Sequence, residues 1–231
     1  MLCSNQLSYV AFDRIWPYWP GVAPNRRLEW RLFQGARFSG TLREMSNSAT
    51  TRSPDVPVAS IDPIRVRPLP APASPADRLK PWIQLSGSMT RCIGDTLGEP
   101  PIVRPGLEGP TRLALWERRL LGITESRGYA REVVLTVKGE AVLSARTVSR
   151  LHDPALEVIR RLGTRPLAQL LFEDPRWVRG CAPIPLIELE QRRVGRTCLW
   201  KAARLDGRRS ESRILVSEFF ESGLVAAGPA A

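Results

Sequence analysis

The sequence predicts an α+β domain in which helices cover one face of an antiparallel sheet. Three observations carry this reading. First, Arg131 to Val148 alternates as two strands around a tight Lys138-Gly139 reversal, the pattern of a hairpin. Second, two helical segments precede the hairpin and two follow it, most of them opened by a capping side chain or a first-turn proline. Third, residues 177–220 hold alternating or apolar runs at 177–181, 186–190, 198–205 and 213–220, which read as further strands.

Taken in order, residues 1–73 differ from the rest. Trp16-Pro17-Tyr18-Trp19-Pro20 is aromatic, but no sustained period follows it, and prolines recur from Pro54 to Pro75. Such a stretch suits extended, polyproline-like conformations, and we read 1–73 as a disordered Pro/Arg-rich extension. A translation start assigned too far upstream, with Met45 as the true one, is the alternative. The folded domain is expected over 74–222, with 223–231 as a frayed tail.

Ser74-Pro75-Ala76-Asp77 offers an N-cap, a first-turn proline and an acid, ahead of Leu79, Trp82, Ile83 and Leu85. Pro81 must kink this helix or end its first turn. Ser88 can cap a second helix that Gly98 stops. Pro100 to Val103 reads as a short strand, and Thr111 to Gly122 as helical or irregular. Past the hairpin, Asp153-Pro154 opens a helix that ends at Gly163, and Thr164 to Leu167 opens another through Phe172.

Composition excludes several classes. The net charge of +11, from 34 Lys+Arg against 23 Asp+Glu, keeps nucleic acid in view. No long basic tract, helix-turn-helix pattern or aromatic-interleaved basic motif supports it, so no nucleic-acid partner is expected. A pocket for small anions would benefit from the same field. Cys3, Cys92, Cys181 and Cys198 are too scattered for a disulfide framework or a zinc site. His152 is the single histidine; Leu-His-Asp-Pro reads as the start of a helix, and no metal site is expected. No apolar run approaches a membrane span, and the N-terminus is not a signal peptide, so the cytoplasm is the expected compartment. Glycine-rich phosphate loops, HExxH and nucleophile elbows are absent.

Two charged residues stand out on apolar strand faces. Arg131 shares its face with Val133, Leu135 and Val137, and Glu218 shares one with Ile214, Val216 and Phe220. An arginine there needs an anion, from the protein or from a ligand. From these residues alone, Arg131 and Glu218 could pair with each other, or Arg131 could hold a substrate carboxylate. Glu132 falls on the opposite face and reads as structural. Arg146 is either a second anion ligand or a solvated strand end.

Four separated blocks, in order, resemble the chorismate–pyruvate lyase family over residues 79–220. They are Pro81-Trp-Ile-Gln-Leu-Ser-Gly-Ser-Met-Thr90, the hairpin Ala130 to Val148, Leu162-Gly-Thr-Arg-Pro-Leu-Ala-Gln-Leu-Leu-Phe172, and Leu215-Val-Ser-Glu-Phe-Phe220. The resemblance implies a six-stranded antiparallel sheet with an enclosed pocket, no metal or organic cofactor, and a monomer whose partner is the small molecule chorismate. It implies elimination of pyruvate to give 4-hydroxybenzoate for ubiquinone synthesis. Arg131 then corresponds to the arginine that binds a substrate carboxylate, and Glu218 to the glutamate at the hydroxyl and ether end. Met89 and Leu167 correspond to pocket residues at two helix starts. The block after Leu199-Trp200 departs from the family: Lys201-Ala-Ala-Arg204 stands where an arginine pair and a serine are expected. Arg208 and Arg209 come too late, and none of these arginines is given a role. The alternative is a non-enzymatic sensor with the same fold, the effector-binding domain of GntR-type repressors. Those carry a winged-helix segment ahead of the sensor, a pattern that residues 1–73 lack.

Overall fold

The computed structural model describes residues 60–69, 77–203 and 211–227. They form one antiparallel sheet with six helices. The strands are β1 (Val66–Pro68), β2 (Ile102–Arg112), β3 (Arg127–Val137), β4 (Glu140–Ser149), β5 (Trp177–Arg179), β6 (Ile184–Glu188), β7 (Arg193–Ala203) and β8 (Glu211–Phe220). The order across the sheet is β1-β6-β7-β8-β4-β3-β2, and β5 pairs with β7. Five of these run ten or eleven residues, β6 runs five, and the two three-residue strands, β1 and β5, join them. The helices are α1 (Lys80–Gln84), α2 (Met89–Leu97), α3 (Leu115–Leu121), α4 (Ala155–Arg160), α5 (Leu167–Glu173) and α6 (Ser222–Ala227).

Local chemistry explains most of these elements. The β3–β4 turn puts Lys138 at φ 51° and Gly139 at φ 84°, the doubly left-handed geometry that matches strand twist in a two-residue hairpin. Ser88 accepts the Arg91 amide at 3.3 Å to start α2, and Gly98 ends it in the left-handed region. A 3-10 turn at Asp77–Leu79 precedes α1, and Pro81 sits in the first turn of α1, where no amide is needed. Asp153 caps α4 by accepting the Ala155 amide at 2.9 Å.

Register fixes which side chains share a face. Arg131 stands opposite Thr147, Thr147 opposite Val216, and Ala145 opposite Glu218, which faces Arg196 on β7. One face therefore carries Arg131, Val133, Leu135, Val216, Glu218 and Arg196. Helices α1, α2, α4 and α5 cover it through Trp82, Ile83, Ile93, Leu156, Ile159 and Leu171. The opposite face carries Glu132, Arg146, Val148, Leu215 and Phe219, and α3 packs there through Trp116 and Leu121.

The expected α+β sheet with helices over one face is present, and α3 packs in addition on the other face. Other expectations need correction. The expected short strand at 100–103 is the start of the eleven-residue β2, whose prolines and glycines hid it; as an edge strand it tolerates them.

The boundary drawn at residue 73 is also too late. β1 pairs with β6, Ile61 and Val66 are buried, and Pro63 accepts the Trp116 indole N–H at 2.9 Å. Proline density concealed the alternation of Ile64-Arg65-Val66-Arg67, and Pro68 is tolerable at the end of an edge strand. At the other end, Leu224 is fully buried in α6, so 223–227 is not a frayed tail. The readings made on residues 1–59, on the Ser74 cap, on Arg204, Arg208 and Arg209, and on 228–231 lie outside the described residues.

A chain starting at Ser60 keeps β1, whereas one starting at Ser74 loses it together with Ile61 and Val66. Each buried side chain of this size is worth about 1.5–3 kcal/mol. The Ser74 variant should therefore melt several degrees below the Ser60 variant in thermal denaturation. Equal melting temperatures would show that β1 contributes nothing.

Candidate active site

The helix-covered face encloses a cleft of about 640 Å³, its open mouth included. Its floor is built from alternate residues of the central strands, among them Arg131, Thr147, Cys198 and Glu218. Its roof comes from helix starts: Met89 is the first residue of α2 and Leu167 the first of α5. All four sequence-predicted site residues, Arg131, Glu218, Met89 and Leu167, thus line one pocket.

Arg131 is 3% exposed. Its Nη2 donates to the Gly163 carbonyl at 2.6 Å, and its Nε lies 3.7 Å from Glu108 on β2 without making a hydrogen bond. Burial pulls its pKa below the ordinary guanidinium value, and the Glu108 carboxylate partly offsets this. Glu108 is shared, because it also accepts the Tyr129 hydroxyl at 2.7 Å. Burial, then Glu108, raises the Tyr129 pKa, which keeps that hydroxyl a donor.

Glu218 does not pair with Arg131. Its Oε2 accepts from Arg196 Nε at 2.7 Å. Arg196 is itself fully buried, and its Nη1 donates to the carbonyls of Trp82, Ile83 and Leu85 at 3.2, 3.3 and 2.7 Å. These carbonyls lie at the C-terminal end of α1, where a helix leaves acceptors without intrahelical partners. One arginine therefore ties the pocket carboxylate to the helix above it.

The sequence reading missed Arg196. It began the strand at Cys198, whereas β7 begins at Arg193. Counting back by two from Trp200 and Cys198 would have placed Arg196 on the same apolar face, the signal that singled out Arg131.

Cys198 lies beneath the roof, and burial pushes its thiol up to about 11. At neutral pH it is a small apolar wall and not a nucleophile. Arg146 is on the opposite face, bonded to Glu117 at 2.9 Å and Glu132 at 2.6 Å. It is neither a pocket ligand nor a solvated strand end, and Glu132 serves it structurally. His152 is exposed in the turn before α4.

No family model matches the chain. Individual relatives do. A protein named probable chorismate pyruvate-lyase from Azoarcus sp. is 35% identical over 165 residues, covering 64% of this chain and 86% of that one. The chain belongs to the chorismate pyruvate-lyase family. Further proteins named probable chorismate pyruvate-lyase match from Aromatoleum aromaticum and Pseudomonas syringae pv. syringae. The first is 32% identical, covering 65% of this chain and 88% of its own. The second is 34% identical, covering 63% and 81%.

Among solved structures, PhnF from Mycobacterium smegmatis aligns over 59% of this chain and 64% of its own, at 13% identity and a TM-score of 0.37. That likeness is too loose to bear on function. The lyase family assignment therefore rests on the sequence relatives. Among the described residues no helix is long and apolar enough to cross a membrane.

Proposed function

We propose that the protein is a chorismate lyase, eliminating pyruvate from chorismate to give 4-hydroxybenzoate at the head of ubiquinone synthesis. The observation that supports this best is the convergence of Arg131, Glu218 and the first residues of α2 and α5 on one pocket, in a chain of this family.

In the reaction the ring C–O bond to the enolpyruvyl group breaks and a ring proton on the adjacent carbon is lost. The ring becomes aromatic, and the departing enol oxygen takes up a proton and collapses to pyruvate. Aromatisation supplies the thermodynamic pull, so this route asks of the protein no covalent nucleophile and no cofactor. The protein must hold a dianion in its reactive conformer and exclude water; positioning of this kind can lower a barrier by several kcal/mol.

Arg131 suits the carboxylate that the product retains. Its fork is planar and always charged, and its Nε still has a hydrogen bond to give. The amides at the start of α2 and α5 have no intrahelical acceptor and can add donors to that anion. Glu218, held by Arg196, faces the hydroxyl and ether end, where it accepts from the ring hydroxyl or delivers a proton to the departing oxygen.

Incubating the purified protein with chorismate should yield pyruvate and 4-hydroxybenzoate in equal amounts, read by a coupled pyruvate assay and chromatography. Formation of the meta isomer would overturn the product assignment. Binding without turnover would overturn the enzymatic reading.

A further inference from the structure

Three arginines, Arg131, Arg179 and Arg196, line the pocket against a single carboxylate, Glu218. Arg196 is consumed by Glu218 and the α1 carbonyls. Arg131 is held by Gly163 and stands beside Glu108. Arg179, the last residue of β5, is different. Its Nη1 and Nη2 reach the Leu85 and Gly87 carbonyls at 3.2 and 3.5 Å, and its Nε is buried with no hydrogen-bond partner. Among the described residues it has no carboxylate within ion-pair distance.

Two aromatic rings fix its orientation. The guanidinium carbon lies 5.2 Å from the Trp200 ring centre and 5.8 Å from that of Phe172, a partly exposed side chain. Arg179 is therefore a preorganised, half-buried cation on the pocket's solvent side. A half-buried cation with an unused donor and no carboxylate in contact gains most when a ligand anion completes it.

We propose that Arg179 binds the second carboxylate of a dianionic substrate, the one that departs with the three-carbon fragment. This rests on the lyase reading above. Arg196 is offset by Glu218 and Arg131 in part by Glu108, so among the described residues Arg179 is the pocket arginine with no carboxylate in contact, and the second carboxylate of a dianion supplies one. The monoanionic aromatic product, held at Arg131, does not. Arg179 is thereby a specificity-determining residue that recognises substrate and is indifferent to the retained product.

The test compares chorismate with 4-hydroxybenzoate, by steady-state kinetics and by calorimetric titration, in wild type, Arg179→Met and Arg131→Met. Methionine keeps an apolar stem against Trp200 and Phe172. For Arg179→Met the KM and dissociation constant for chorismate should rise roughly 10- to 100-fold, the size of one charged hydrogen-bonded pair. Affinity for 4-hydroxybenzoate should change by less than about threefold, well below one such pair. Arg131→Met should weaken both ligands. Equal weakening of both by Arg179→Met means that the residue only supports the Leu85–Gly87 loop, and overturns the proposal; so does an unchanged KM. If Arg179→Met does not fold, Arg179→Lys carries the same comparison, with a smaller but still substrate-selective loss. Wild-type protein that binds chorismate without releasing pyruvate sinks the lyase reading but leaves the Arg179 comparison to be read from binding. Wild-type protein that binds neither ligand overturns both.

Discussion

Replacing Arg131 by alanine is expected to lower kcat/KM for chorismate by roughly 30- to 5,000-fold. That range corresponds to about 2–5 kcal/mol for truncating one partner of a buried charged pair. The fold should survive. Arg131 lies mid-strand with β2 and β4 paired on either side, and its side chain opens onto a cavity that already exists. Its loss strands little, because Glu108 is partly exposed and keeps the Tyr129 hydroxyl. Circular dichroism and thermal melting should stay close to wild type while turnover collapses. Arg131→Lys keeps the charge but not the fork, and should recover only part of the rate. Near-normal turnover by Arg131→Ala would remove the residue from the site.

Glu117→Ala should show the reverse pattern. Glu117 is fully buried in the first turn of α3, accepting the Ala114 amide at 2.8 Å and Arg146 Nε at 2.9 Å. Without it, Arg146 remains buried with Glu132 as its one carboxylate among the described residues, where its Nη2 already lacks a hydrogen-bond partner. Breaking a buried pair from one side costs about 3–5 kcal/mol, a large share of the ~5–15 kcal/mol that holds a typical domain together. Urea unfolding should show a midpoint shift of that size at constant slope. The pocket is on the other face of the sheet, so turnover per folded molecule should be unaltered. A stability loss below about 1 kcal/mol would mean that water or relaxation satisfies Arg146, against the expectation for a dry pair.

The contrast between these variants follows from one-residue alternation. Arg131 and Glu132 are neighbours in sequence and belong to different faces of the sheet, one lining the cleft and the other a structural ion cluster. This much was legible, because strand periodicity is a local property and the Lys138-Gly139 turn pins the hairpin register. The caps at Ser88 and Asp153 were legible for the same reason: a short polar side chain meets an amide two or three residues away.

β1 and the full length of β2 were harder to read, since prolines and glycines on edge strands carry the same local signal as irregular chain. The arginines were harder still. Arg131, Arg146, Arg179, Arg193 and Arg196 all reach buried or half-buried surroundings, and nothing local tells which of them meets a carboxylate.

By itself the sequence determined the α+β class, the hairpin, the starts of α2 and α4 and the face on which Arg131 and Glu218 stand, since each depends on contacts a few residues apart. Only the tertiary structure decided that Glu218 pairs with Arg196, that Arg146 serves α3, and that Arg179 is left without a carboxylate partner among the described residues. Those pairings depend on β8 lying between β4 and β7 and on which helix end sits above each strand. Strand order is set by burying both sheet faces at once, a global condition that local periodicity does not contain.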